Sequence, residues 1–96
     1  MIEVIIGGAI LAAATAAFVA FWKVVYDWCV KLISQFLESF TTLVKSGANV
    51  IAYYYYRSKD GWFRREVPSQ RVSKEDCPKT VRDALFKYDE AIVQRY

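Results

Sequence analysis

Ninety-six residues make one domain at most, and a chain this short buries too small a share of its surface for its core to give more than modest stability. Two cysteines, Cys29 and Cys77, and no histidine exclude a disulfide framework and the usual zinc ligand sets. No metal and no cofactor is therefore expected, and both thiols read as reduced, space-filling side chains.

Charge is almost absent before Lys23 and dense after Tyr56. Lys23, Lys31 and Lys45 balance Glu3, Asp27 and Glu38, so the whole net charge of +3 belongs to residues 57–96. The two halves read as belonging to different solvents.

From Val4 to Trp22 run nineteen residues without a charge, with Thr15 the only polar side chain. At 1.5 Å per residue that length matches the ~30 Å hydrocarbon core of a bilayer, so residues 1–22 are assigned as one transmembrane span. Two alternatives stay open. A helix buried in a soluble oligomer has the same composition, and Ala12-Ala13-Ala14 resembles a signal-peptide cleavage region, although Glu3 stands where a basic n-region belongs. Positive charge follows the run and does not precede it, which predicts a single-pass membrane protein with the N-terminus outside and a cytoplasmic tail. Trp22, Tyr26 and Trp28, with Phe21, are then anchors at the membrane interface.

No proline or turn chemistry interrupts the chain before Ser46-Gly47, so the helix is expected to continue through residues 23–47 as a rod of roughly 60 Å, capped by a left-handed Gly47. Lys23, Asp27, Lys31, Ser34, Glu38, Thr41 and Lys45 share one face of it. Val24, Val25, Trp28, Leu32, Phe36, Phe40 and Val44 form the other. The polar stripe extends back as Ala9, Ala13, Ala16 and Ala20, and Gly8, Ala12, Ala16 and Ala20 make a second small-residue series. Gly8, Ala9, Ala12, Ala13, Ala16, Ala20, Lys23 and Asp27 are accordingly the expected self-association interface, because small residues let helix backbones approach closely.

Residues 48–96 are expected to form a small ββα tail. Val50–Tyr56 and Trp62–Val67 are rich in β-formers and flank turn residues, which makes them a hairpin ended by Pro68. A three-residue loop, Lys59-Asp60-Gly61 with Gly61 left-handed, sets Tyr56 opposite Arg64 and avoids opposing Arg57 to Arg64. Pro78 suits the first turn of a helix running to about Gln94, with Val81, Ala84, Leu85, Tyr88 and Ile92 on its apolar face. The expected fold class is thus an α+β membrane protein with a long N-terminal transmembrane and amphipathic helix, a β-hairpin and a C-terminal helix.

Catalysis lacks parts, since there is no histidine base, no phosphate-cradling glycine loop, no paired carboxylates and no nucleophile motif. The leading expectation is a non-enzymatic, self-associating structural or accessory subunit of a membrane-bound or viral-type assembly, with the lipid bilayer and further copies as partners. A pore-forming or membrane-perturbing oligomer is the alternative. A third reading takes Arg57, Lys59, Arg64, Arg65 and Arg71, interleaved with Tyr53 to Tyr56 and Trp62, as a site for an anionic partner such as lipid headgroups or a single-stranded nucleic acid.

Overall fold

The uncharged run is divided where its only polar side chain stands. The computed structural model describes residues 1–96 apart from the Ser69 side chain. It begins with a short strand β1 (Ile2–Glu3), a five-residue helix α1 (Gly8–Ala12) and a fifteen-residue helix α2 (Ala16–Val30). Thr15 is the N-cap of α2. Its Oγ1 accepts from the Phe18 amide at 3.2 Å and donates to the Asp76 carbonyl at 3.1 Å, which satisfies one orphan helix donor and pins the break to a distant turn.

A fifteen-residue helix rises about 22 Å, short of the ~30 Å of hydrocarbon, and among the described residues no helix is long and apolar enough to cross a membrane. The expected span over residues 1–22, the single-pass localisation and the membrane fold class are corrected on this finding. Residues before α1 are instead tied into a sheet, the Val4 amide donating to the Ile92 carbonyl at 2.7 Å and the Ile6 amide to Val93 at 2.9 Å.

The continuation helix over residues 23–47 is corrected as well. Its first part belongs to α2. After a 3-10 turn at Ile33–Gln35 the chain becomes strand β2 (Glu38–Ser46). Thr41, Thr42 and Val44 are β-branched and favour the extended backbone. The longest dimension of the molecule is 38 Å, where the expected rod was roughly 60 Å, and the radius of gyration of 12.7 Å is that of a globule of this length.

Strand β3 (Asn49–Ser58) returns beside β2 through Gly47-Ala48, with Gly47 at φ 61° in the first loop position, as a II′-type hairpin requires. Strand β4 (Gly61–Ser73) follows through a two-residue loop, Lys59-Asp60, closed by Ser58 opposite Gly61. The expected three-residue loop is one residue out of register. Tyr55 faces Arg64 and Arg57 faces Trp62, which still keeps the arginines apart, and Gly61 takes its positive φ of 117° at the closing position. β4 does not end at Pro68. As an outer strand it needs no donor on its free side, and a register shift opposite Ile51 and Tyr53 accommodates the proline.

A 3-10 turn (Lys74–Asp76) leads to helix α3 (Lys79–Tyr88), which Asp89 ends at φ 63°. Strand β5 (Glu90–Arg95) takes residues that were expected to extend this helix, since Ala91-Ile92-Val93 finds hydrogen-bond partners on β2 and β1. The five strands run in the order β1-β5-β2-β3-β4, with β1 parallel to β5 and every other pair antiparallel.

One face of this sheet is the core face. Leu43, Val50, Ala52, Tyr54, Val67, Val72, Ala91 and Val93 pack there against Phe18, Phe21, Trp22, Val25 and Cys29 of α2 and Val81, Ala84 and Leu85 of α3. Burying each large apolar side chain contributes about 1.5–3 kcal/mol. Two polar strand residues are buried with partners: Thr41 Oγ1 lies 2.7 Å from the Tyr96 hydroxyl and 3.3 Å from Cys29 Sγ, and Thr42 Oγ1 donates to Glu90 at 2.8 Å. Both cysteines are free and buried.

Candidate interaction surfaces

The eight residues expected to form the self-association stripe all lie on the outside. Gly8, Ala9, Ala12 and Ala13 of α1 and its C-terminus, and Ala16, Ala20, Lys23 and Asp27 of α2, are exposed. The helix break at Thr15 divides them between two axes, so they form a surface and not one continuous ridge. Val19, Val24, Tyr26 and Val30 of α2 are exposed too, at 36 to 46%. The outer side of α2 is therefore apolar with two charges of opposite sign, while its inner side, Phe18 and Val25 at 0% exposure, is sealed in the core.

The three expected interface anchors take different positions. Trp22 is buried at 5% exposure and belongs to the core, Trp28 is half-buried with its ring edge-on to Tyr54 at 6.2 Å, and only Tyr26 remains at the surface. Trp22 and Trp28 pack on protein, and the transmembrane span these residues were expected to flank is the one corrected above.

The second surface is the sheet face opposite the helices. Register places Phe40, Tyr53, Tyr55, Arg57, Trp62, Arg64 and Arg71 on it, since each alternates with a core residue. Phe40 stacks on Tyr55 at 4.9 Å between ring centroids and 12° between planes, Trp62 leans on Phe40 at 5.5 Å, and the Arg64 guanidinium sits over the Tyr53 ring at 4.8 Å. The Tyr55 hydroxyl donates to Glu90 at 2.8 Å, and burial holds that phenol above its ordinary range, with Arg64 working against the shift.

Of the five expected anion-binding residues, the fold unites only three on this face. Arg65 pairs with Tyr54 on the core-facing side of β4, and Lys59 sits in the hairpin loop. Arg57 is 3.1 Å from Glu38, and Arg95, which pairs with Phe40, is 2.8 Å from Glu3. Counting by register, Arg57, Arg64, Arg71 and Arg95 meet Glu3, Glu38, Glu66 and Glu90 on the same face. The open sheet face is thus electrically neutral.

The cations that do converge join a local group to one from a distant strand. Lys45 at the end of β2, Lys74 in the 3-10 turn, and Lys79 and Arg82 on α3 line one groove of about 440 Å³ floored by Val50 and Leu85. The Lys74 amide donates to the Ala48 carbonyl at 3.0 Å, which brings the turn against the β2–β3 hairpin and closes one wall. Motif spacing does not reveal this cluster, because Lys45 joins Lys74, Lys79 and Arg82 from β2, about thirty residues away in the chain. Compared with protein families, with curated proteins and with solved structures, the chain matches none.

Proposed function

We propose that the chain is a non-enzymatic assembly subunit that pairs with a second copy of itself through the outer side of α2. What supports this reading is an uncovered helix face that is almost wholly apolar, whereas the outward face of α3, the other long helix, is charged. Contiguous apolar surface of this kind marks interaction sites. Lys23 and Asp27 stand one turn apart on it, so an antiparallel two-fold pairing sets each Lys23 against Asp27 of the other copy. The same register brings Ala20 against Val30 and Val24 against Tyr26, and the small side chains allow close approach of the two axes. A pore lined by this face is not proposed, because no helix among the described residues is long and apolar enough to cross a membrane.

The test is a charge-swap cycle read by sedimentation velocity. Lys23→Asp and Asp27→Lys should each weaken the dimer, and the double variant should recover it, since a symmetric ion pair is restored with reversed polarity. All of these positions are exposed, so the fold is not at risk. A parent chain that stays monomeric at every concentration, or a double variant as weak as the sum of its singles, refutes the pairing.

A second reading, single-stranded nucleic acid on the open sheet face, is favoured by the half-exposed Trp62 beside the Phe40–Tyr55 stack. It ranks below the first because the four arginines there meet four carboxylates, leaving no net charge to neutralise phosphates. Fluorescence anisotropy of a labelled oligonucleotide distinguishes them: saturable, salt-sensitive binding abolished by Trp62→Ala with Arg64→Ser would establish the second reading.

A further inference from the structure

The groove between α3 and the β2–β3 hairpin carries a charge excess that ion pairs neutralise only in part. Its lining has Lys45, Lys74, Lys79 and Arg82 against the single carboxylate Asp83, an excess of +3 that equals the net charge of the whole chain. Asp89, which pairs with Lys45 from outside the lining, brings the local excess to +2, most of the chain's net charge. Lys79 is held by Asp83 at 2.8 Å and Lys45 by Asp89 at 3.4 Å. Lys74 and Arg82 have no ion pair among the described residues.

Phe86 stands at the rim of the same groove and is 84% exposed, the most exposed large apolar side chain in the molecule. It lies one turn beyond Arg82 on the outward face of α3, while Val81, Ala84 and Leu85 take the buried face. The Lys45 ammonium sits 5.9 Å from its ring centre, so one side of the ring is already turned toward the cations. A hydrophobic ring held in water beside two unpaired cations is a recognition arrangement with both halves exposed. The groove volume of about 440 Å³ falls in the range of small-molecule sites, roughly 300–1,000 Å³.

We propose that this groove binds a phosphate monoester carrying a planar ring, of the size of a mononucleotide. The doubly charged phosphate, about −1.5 to −2 at neutral pH, is held by Arg82 and Lys74, with Lys45 and Lys79 adding field from their partly neutralised positions. The planar group stacks on Phe86 above the apolar floor of Val50 and Leu85. A carboxylate, with about half the charge, would leave part of the excess cation unused. None of these residues belongs to the outer side of α2, so the site stands independently of the self-association reading.

The test is titration of the full chain with adenosine monophosphate, inorganic phosphate and adenosine, followed by amide chemical shifts in two-dimensional NMR. Adenosine monophosphate should give saturable shifts at Lys74, Arg82 and Phe86 that weaken as salt is raised. Lys74→Gln with Arg82→Gln should lower its affinity about tenfold or more, as expected for lost charge-assisted hydrogen bonds. Phe86→Ala should weaken adenosine monophosphate and leave inorganic phosphate unchanged. Arg64→Gln, on the other face of the sheet, should change nothing. The three groove side chains are exposed, so urea midpoints equal to the parent's will show that the variants are folded. Adenosine binding as tightly as its monophosphate, an unaltered affinity in the double glutamine variant, inorganic phosphate matching the nucleotide, or no saturable shift from any of the three would overturn the proposal.

Discussion

Phe18 and Val19 are neighbours in α2, and on a lipid-surrounded helix they would be nearly equivalent. In this fold they are opposites: Phe18 is 0% exposed, with its ring 6.0 Å from that of Phe21, and Val19 is 38% exposed on the outer side. Phe18→Ala removes a ring from a close-packed site that can collapse only in part, so it should cost about 3–5 kcal/mol. Val19→Ala removes two methyl groups that are already partly in water and should cost under about 1 kcal/mol. A domain of this size has about 5–14 kcal/mol of total stability, so the first change removes about a fifth or more of it and the second very little. Urea unfolding followed by tryptophan fluorescence measures the difference, because Trp22 is buried in the same cluster. With a slope of about 1–2 kcal/mol per molar urea, Phe18→Ala should lower the midpoint by on the order of 2 M, and Val19→Ala by a few tenths. Equal midpoints for the two variants would mean that α2 does not present one face to a core, and the whole arrangement of helix over sheet would fall with it.

Asp89 ends α3 at φ 63°, and its ion pair with Lys45 is too exposed to offset the strain. Asp89→Gly should be neutral or raise stability by up to about 1 kcal/mol, whereas Asp89→Val should lose about 1–2 kcal/mol; identical thermal midpoints for the two would remove the left-handed cap. Burial, with Asp76 adding to it, pushes the Cys77 thiol from 9.0 up to about 11. Below pH 9 both the folded and unfolded states hold this proton and nothing is lost. Above it the unfolded chain ionises first, so stability should fall by up to about 3 kcal/mol as pH rises through 11. Cys77→Ala should flatten that decline between about pH 8 and pH 11, and urea midpoints that stay parallel to the parent's across the range would contradict it.

Local chemistry in the sequence determined several features. Gly47 and Gly61 were legible as positions of positive φ, because turn residues flank both and other side chains are strained there. The strands around Tyr53 and Phe63, and the start of α3 after Pro78 with Val81, Ala84 and Leu85 turned inward, follow from β-propensity, proline geometry and helical spacing. The exposure of the small-residue stripe also agrees with its lack of bulky side chains.

Tertiary structure decided the rest. Phe40 and Val44 stand four apart and fit a helix face, yet Thr41, Thr42 and Val44 prefer a strand; what chose the strand was partners on both sides, β3 through a tight hairpin and β5 from far away in sequence. The same holds for Ala91-Ile92-Val93, too short an apolar run for its period to discriminate. Residues 4–22 fit two environments, because nineteen uncharged residues satisfy a bilayer and a protein core alike. Only the Thr15 cap and a sheet against which Phe18 and Trp22 could pack separated the two. The basic groove was invisible for a related reason. Charge is additive in space, not along the chain, so Lys45, Lys74, Lys79 and Arg82 become one field only after β2, the 3-10 turn and α3 are folded together.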